Sequence, residues 1–138
     1  MLPEDEVLGA VGITEMVVRP GDTSVAIGIG DLPIIAPSLL INLMEHAAIL
    51  SLDLYLEPGE TTIPISVEFI SLSPAGIGAS LRGTSRVIEI SGKELTFECE
   101  VYENDRQIAA ALIKRSAVER VSFLARTAAL HLIQNDKL

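Results

Sequence analysis

The chain has 138 residues, 10 Lys+Arg against 19 Asp+Glu, and a formal net charge of −9. That length predicts one domain over 1–138, and 49% hydrophobic against 21% charged residues excludes a disordered polar segment. The acidic balance argues against a nucleic-acid binder, which needs a basic surface to neutralise phosphates.

Residues 1–12 read as a flanking or poorly ordered segment. Glu15–Arg19 and Thr23–Ile29 read as a pair of strands, or a strand and a bend, around the turn signal Pro20-Gly21-Asp22. A helix is expected from Pro37 or Ser38, because Pro is favoured at the first helical position and Ser at the N-cap. Leu39, Leu43, Ala47, Leu50 and Leu54 keep helical spacing, as do Leu40, Met44, Ala48, Ser51 and Tyr55. Glu57-Pro58-Gly59 ends the pattern, giving roughly 18 residues and about 27 Å. A helix apolar almost all round calls for enclosure, so Asn42, Glu45, His46 and Asp53 need a reason to be there.

Beyond the helix the period becomes two. Ile63, Ile65, Val67 and Phe69 alternate with polar residues, Ser73–Gly76 is a turn, and Ala79–Ser91 is a long strand. Glu94–Glu103 sends Leu95, Phe97, Cys99 and Val101 inward, and Asn104-Asp105 turns the chain into Arg106–Ala117. Short links make these four strands a sequential antiparallel meander. Residues 119–134 fit an amphipathic C-terminal helix. The fold class is α+β: a curved antiparallel sheet wrapped around one long central helix, with a short C-terminal helix. An open sheet edge and a high apolar fraction favour a homodimer or a higher oligomer.

The charge is uneven. Residues 1–81 hold Arg19 and 11 acidic residues, whereas eight of the ten basic side chains lie between Arg82 and Arg126. This is either a solvated mixed-charge face or an anion-docking region. Cys99 is the only cysteine and, on an inward position, reads as a buried inert thiol. No metal-ligand spacing and no Gly-rich phosphate loop is present, so no cofactor is expected. The charge-free runs Leu32–Met44 and Phe69–Leu81 have 13 residues each, too short to span a bilayer. An acidic start unlike a signal peptide gives a soluble, cytoplasmic expectation with no membrane partner.

One set of motifs resembles a known family. Ala36-Pro-Ser-Leu-Leu-Ile-Asn-Leu-Met-Glu-His-Ala-Ala, then Tyr55-Leu-Glu-Pro-Gly-Glu-Thr-Thr, then Val67-Glu-Phe-Ile-Ser-Leu-Ser-Pro-Ala-Gly76 is similar to the hotdog-fold thioesterases of the fluoroacetyl-CoA type over roughly residues 15–126. The resemblance implies an acyl-CoA thioesterase, dimeric, with active sites at the subunit interface. It also implies three catalytic positions: a Thr at the helix start, a Glu within the helix and a His on the following strand. The Glu falls on Glu45. The Thr position falls on Pro37, eight residues earlier, with Ser38 the nearest hydroxyl, and the His position falls on Phe69, seven residues before Gly76.

Glu45 among apolar neighbours can act as a general base or as a nucleophile, or stand at an interface held by hydrogen bonds. Ser38 can cap the helix or donate to a substrate carbonyl beside free helix N–H groups. Asn42, one turn before Glu45, is its polar neighbour; His46 projects about 100° away and cannot form a dyad with it. The catalytic candidates are therefore Glu45, Ser38 and Asn42. The candidates for substrate binding are Pro37, His46, Phe69 and Gly76, with Arg82 and Arg86 on one face of a strand for CoA phosphates, while Lys114 and Arg115 end another strand. The expected ligand is an acyl-CoA, as a substrate or as the ligand of a non-catalytic acyl-binding hotdog protein.

Overall fold

The computed structural model describes residues 3–136. The elements run α1 (Glu4–Val7), β1 (Val11–Val17), a 3-10 turn (Pro20–Asp22), α2 (Ser24–Ile27), α3 (Pro37–Ser51), β2 (Glu60–Ser71), β3 (Ser80–Ser91), β4 (Glu94–Glu103), β5 (Arg106–Glu119) and α4 (Arg120–Asp136). Five antiparallel strands form one sheet in the order β1-β3-β4-β5-β2, with α3 packed on one face. This is the α+β sheet-and-helix arrangement expected from the sequence.

The core lies between α3 and the sheet. Leu40, Leu43, Met44, Ala47 and Ala48 meet Leu81, Val87, Leu95, Phe97, Cys99, Val101 and Ile113, all buried. Period two on β4 and the helical stripe of α3 put these residues on facing surfaces, where aliphatic burial supplies the main stabilisation. Two glycines permit the close approach. A Cβ on Gly12 would stand 1.9 Å from the Ala47 carbonyl oxygen, and one on Gly83 would stand 2.9 Å from Leu43 Cγ. Beside them Thr14 donates to the Leu43 carbonyl at 3.0 Å, tying β1 to the middle of the helix.

Five expectations are corrected. Thr23–Ile29 is not a strand: the Thr23 hydroxyl accepts from Ala26 N–H, and Gly28, at φ 86°, ends a single helical turn. Short capping interactions outweigh the β-branched composition there. The segment expected to flank the domain instead joins it from residue 3 onward. Val7 is fully buried, and Val11 opens β1 opposite Arg86; residues 1 and 2 lie outside the described residues. The four late strands are not one meander, because β2 pairs with β5 at the far edge while only β3, β4 and β5 follow in sequence. The link 72–79 has enough residues to cross the ends of β5 and β4, three strand spacings or about 14 Å. Finally, α3 is covered on one face only: Pro37, Ser38, Asn42, His46 and Ile49 are exposed within the chain. It also stops at Ser51, three residues short of the expected length.

Candidate functional site

The open side of α3 carries Asn42 and His46, with Glu45 half-buried beside them, whereas Asp53 lies beyond the helix end. Pro37 and Ser38 are the first two helical residues and Ala36 is the N-cap, with no side-chain cap bond. Ser38 is therefore not the cap. Pro37 has no N–H, and Leu39 and Leu40 both donate to Ala36 O. The exposed Ser38 hydroxyl makes no hydrogen bond among the described residues. Asn42 and Glu45 follow at i+4 and i+7, so the three share a face. Asn42 is one turn from Glu45, and Ser38 two turns, about 10 Å along the axis. His46 is exposed on the adjoining flank.

Glu45 is anchored from the sheet. Arg115 donates from Nη1 to Glu45 Oε1 at 2.9 Å, from Nε to Thr62 Oγ1 at 2.9 Å and from Nη2 to Thr62 O at 3.0 Å. The side chain of Arg115 is 7% exposed, whereas that of Glu45 is 24% exposed. A buried guanidinium requires satisfied donors, and each of these three nitrogens has an acceptor. The partly open carboxylate presents Oε2, which has no donor among the described residues.

The sequence reading missed this cluster, placing Arg115 with Lys114 in the basic region suited to phosphates. The available signal was register: Arg115 follows Ala111 and Ile113 on the inward half of β5, and both are buried. An inward Arg calls for a buried acceptor, and Glu45 is the acidic residue among the core-facing turns of α3.

The other predicted residues are dispersed. Phe69 lies opposite Ala111 on the helix side of the sheet and packs at the core margin. Its partner on β5 stands four residues from Arg115, about 13 Å along the strand, so one chain does not bring Phe69 to Glu45. Gly76 is exposed and bridges to Ile34 near the start of α3. Arg82 and Arg86 are exposed and alternate with Gly83 and Ser85, which face α3 or the interior; they stand on the opposite face of the sheet from Glu45. Arg86 pairs there with Glu98 at 3.1 Å. That outer face also holds an open groove of about 710 Å³ beside Glu68, Glu98, Glu100 and Leu112.

Cys99 is inert by environment. Burial pushes its thiol up to about 11, against a smaller opposing effect of the Ser85 hydroxyl 3.5 Å away. Hydrogen bonding to Glu100 raises the Tyr102 hydroxyl, and the Glu57 backbone N–H lowers the Glu60 carboxyl. No group of His, Cys, Asp and Glu among the described residues is arranged to hold a metal ion. No helix among them is long and apolar enough to cross a membrane.

Comparison with known proteins follows the same outline. The fluoroacetyl-CoA thioesterase FlK superposes with a TM-score of 0.81 at 20% identity, covering 88% of this chain and 95% of that one. A Thermus thermophilus protein described as a thioesterase superfamily member gives 0.86 at 22% identity, covering 99% and 98%. A hot-dog-like protein from Thermanaerovibrio acidaminovorans gives 0.84 at 18% identity, covering 93% and 96%. These likenesses establish the hotdog fold. No curated protein matches the chain by sequence. The profile of the fluoroacetyl-CoA-specific thioesterases matches residues 18–121, and the chain belongs to that family.

Proposed function

We propose that the protein hydrolyses an acyl-CoA thioester, with Glu45 as the general base. The observation that carries this reading is the carboxylate itself, which is held at one oxygen by a buried arginine and has no donor at the other among the described residues; the motif's resemblance to the family implies the catalytic Glu at this position. FlK, a member of the same family, has been crystallised with fluoroacetate and CoA, which supports a CoA ester as the ligand class here.

In the reaction, Glu45 Oε2 takes a proton from water as the water oxygen attacks the thioester carbonyl carbon. The tetrahedral oxyanion is held by donors on the α3 stripe, the Asn42 amide and the Ser38 hydroxyl. Collapse of that intermediate breaks the C–S bond. The proton on Glu45 passes to the departing sulfur, giving CoA thiol and a free acid.

The active unit we infer is a homodimer. β2 is an edge strand on which Ile65, Val67 and Ile70 are exposed, and the α3 stripe is uncovered. Pairing along that edge would enclose both.

Phe69 and Pro37 at the family's His and Thr positions favour one alternative, a hotdog protein that binds acyl-CoA without turnover. Hydrolysis of short, medium and aromatic acyl-CoAs by the wild type and by Glu45→Gln separates the two. The expected result is turnover that falls by about 10²-fold or more in the variant, as for loss of a general base. Equal turnover by both proteins would sink the mechanism, and saturable binding with no turnover would establish the alternative.

A further inference from the structure

The guanidinium beside Glu45 is more firmly held than the carboxylate it contacts. Two of its three described hydrogen bonds go to one residue of β2, Thr62, through the hydroxyl and the backbone carbonyl, at 2.9 and 3.0 Å. Those two bonds fix the plane of the fork whether or not Glu45 is in place. The third nitrogen, Nη1, then points across to α3 and fixes Oε1 at 2.9 Å. Arg115 itself is 6% exposed, so water does not compete freely for these donors. A Glu side chain on a helix otherwise samples several rotamers. Here one oxygen is pinned from the sheet, and the second has no donor among the described residues on a side chain that is 24% exposed.

We propose that Arg115, seated on Thr62, is the positioning residue of the Glu45 site: it fixes the orientation in which Oε2 meets the attacking water. This role rests on the hydrolytic function proposed above. Arg115 touches neither the water nor the ester and acts only through Glu45. The planar fork is essential to the role, because a lysine offers a single nitrogen and cannot span Thr62 Oγ1, Thr62 O and Glu45 Oε1 together. Displacement of a reacting group by about 1 Å can cost on the order of 10²-fold in rate.

The test is a double-mutant cycle read in kcat and KM. Arg115→Lys keeps the positive charge, and Thr62→Val removes one seat of the fork while leaving the ion pair, so neither depends on tolerating an unpaired buried charge. The expected result is a fall in kcat of about 10²-fold for Arg115→Lys and about tenfold for Thr62→Val, with KM within about twofold of the wild type. In the Glu45→Gln background, Arg115→Lys should cause no further loss, because a residue acting through Glu45 has nothing left to position. A merely structural role gives the opposite pattern, with equal losses in both backgrounds, and that pattern overturns the proposal. So does an unchanged kcat in Arg115→Lys. Wild-type protein that fails to hydrolyse acyl-CoA, or Glu45→Gln that hydrolyses it as well as wild type, overturns the proposed function and this role with it. Those two results are distinct from a loss confined to Arg115.

Discussion

Cys99 and Arg115 show how one inward strand position can mean opposite things. Both alternate into the core, on β4 and β5, and both are nearly free of solvent. The thiol stays neutral at no cost, and burial holds its ionisation up at about 11. The guanidinium stays charged and is accommodated by three acceptors. The shifted thiol has a consequence for stability. Its folded value lies above the ordinary 9.0, so in alkali the unfolded chain loses its proton first. The Cys99 contribution is fully present below about pH 9 and is lost as pH rises towards 11. A two-unit shift corresponds to about 2–3 kcal/mol. Denaturant unfolding at pH 8 and pH 10.5 should show the advantage of wild type over Cys99→Ala shrinking by about 2 kcal/mol. A constant gap between the two proteins would mean that the thiol ionises alike in both states.

At the scale of elements, the sequence is most readable where one period governs a long stretch. The strand Glu94–Glu103 matches β4 to the residue, and the helix expected at 119–134 is α4 at Arg120–Asp136. Legibility fails where a few short-range bonds decide, as at the Thr23 cap and Gly28, or where pairing is long-range, as in the β2–β5 edge. For the site, the family motif singles out Glu45, and the structure sets Arg115 against it. Arg115 reads differently in the sequence because its partners, Glu45 on α3 and Thr62 on β2, lie 70 and 53 residues away, and contacts at that separation are not encoded in local pattern.

The C-terminal helix α4 matches its amphipathic pattern yet leaves its apolar side uncovered within the chain: Leu124 is 60% exposed, and Val121, Leu130 and Leu132 are as open. It is tied at its start by Arg120 N–H to Gly59 O and by Ser122 N–H to the Glu119 carboxylate. A 17-residue helix without tertiary packing is marginal in water. Hydrogen exchange should therefore find the amides of 124–135 exchanging at least about 10³-fold faster than those of 97–101, which lie in the sheet interior. Equal protection in the two segments would mean that another chain covers α4.

For the molecule as a whole, the informative quantity is where apolar surface remains open. The net charge of −9 says little about assembly, and three arginines of the basic half are engaged within the chain: Arg86 with Glu98, Arg106 with Glu103, Arg115 with Glu45. The edge strand β2 differs. Val67 lies opposite the fully buried Ile113 on the helix side of the sheet and is nevertheless 36% exposed, because nothing among the described residues covers that end. An uncovered edge with a half-buried apolar face is a template for pairing with a second strand, and the antiparallel pairing of two β2 strands would give a closed two-fold dimer. Light scattering at micromolar concentration should then give twice the chain mass, and the melting temperature should rise with protein concentration, because dissociation accompanies unfolding. Val67→Lys places a charge at the centre of that edge and should shift the mass to that of a single chain, with hydrolysis falling in parallel if the site needs its neighbour. A wild-type protein with the mass of one chain and a melting temperature independent of concentration would leave β2 as a solvated edge and exclude the dimer as the active unit.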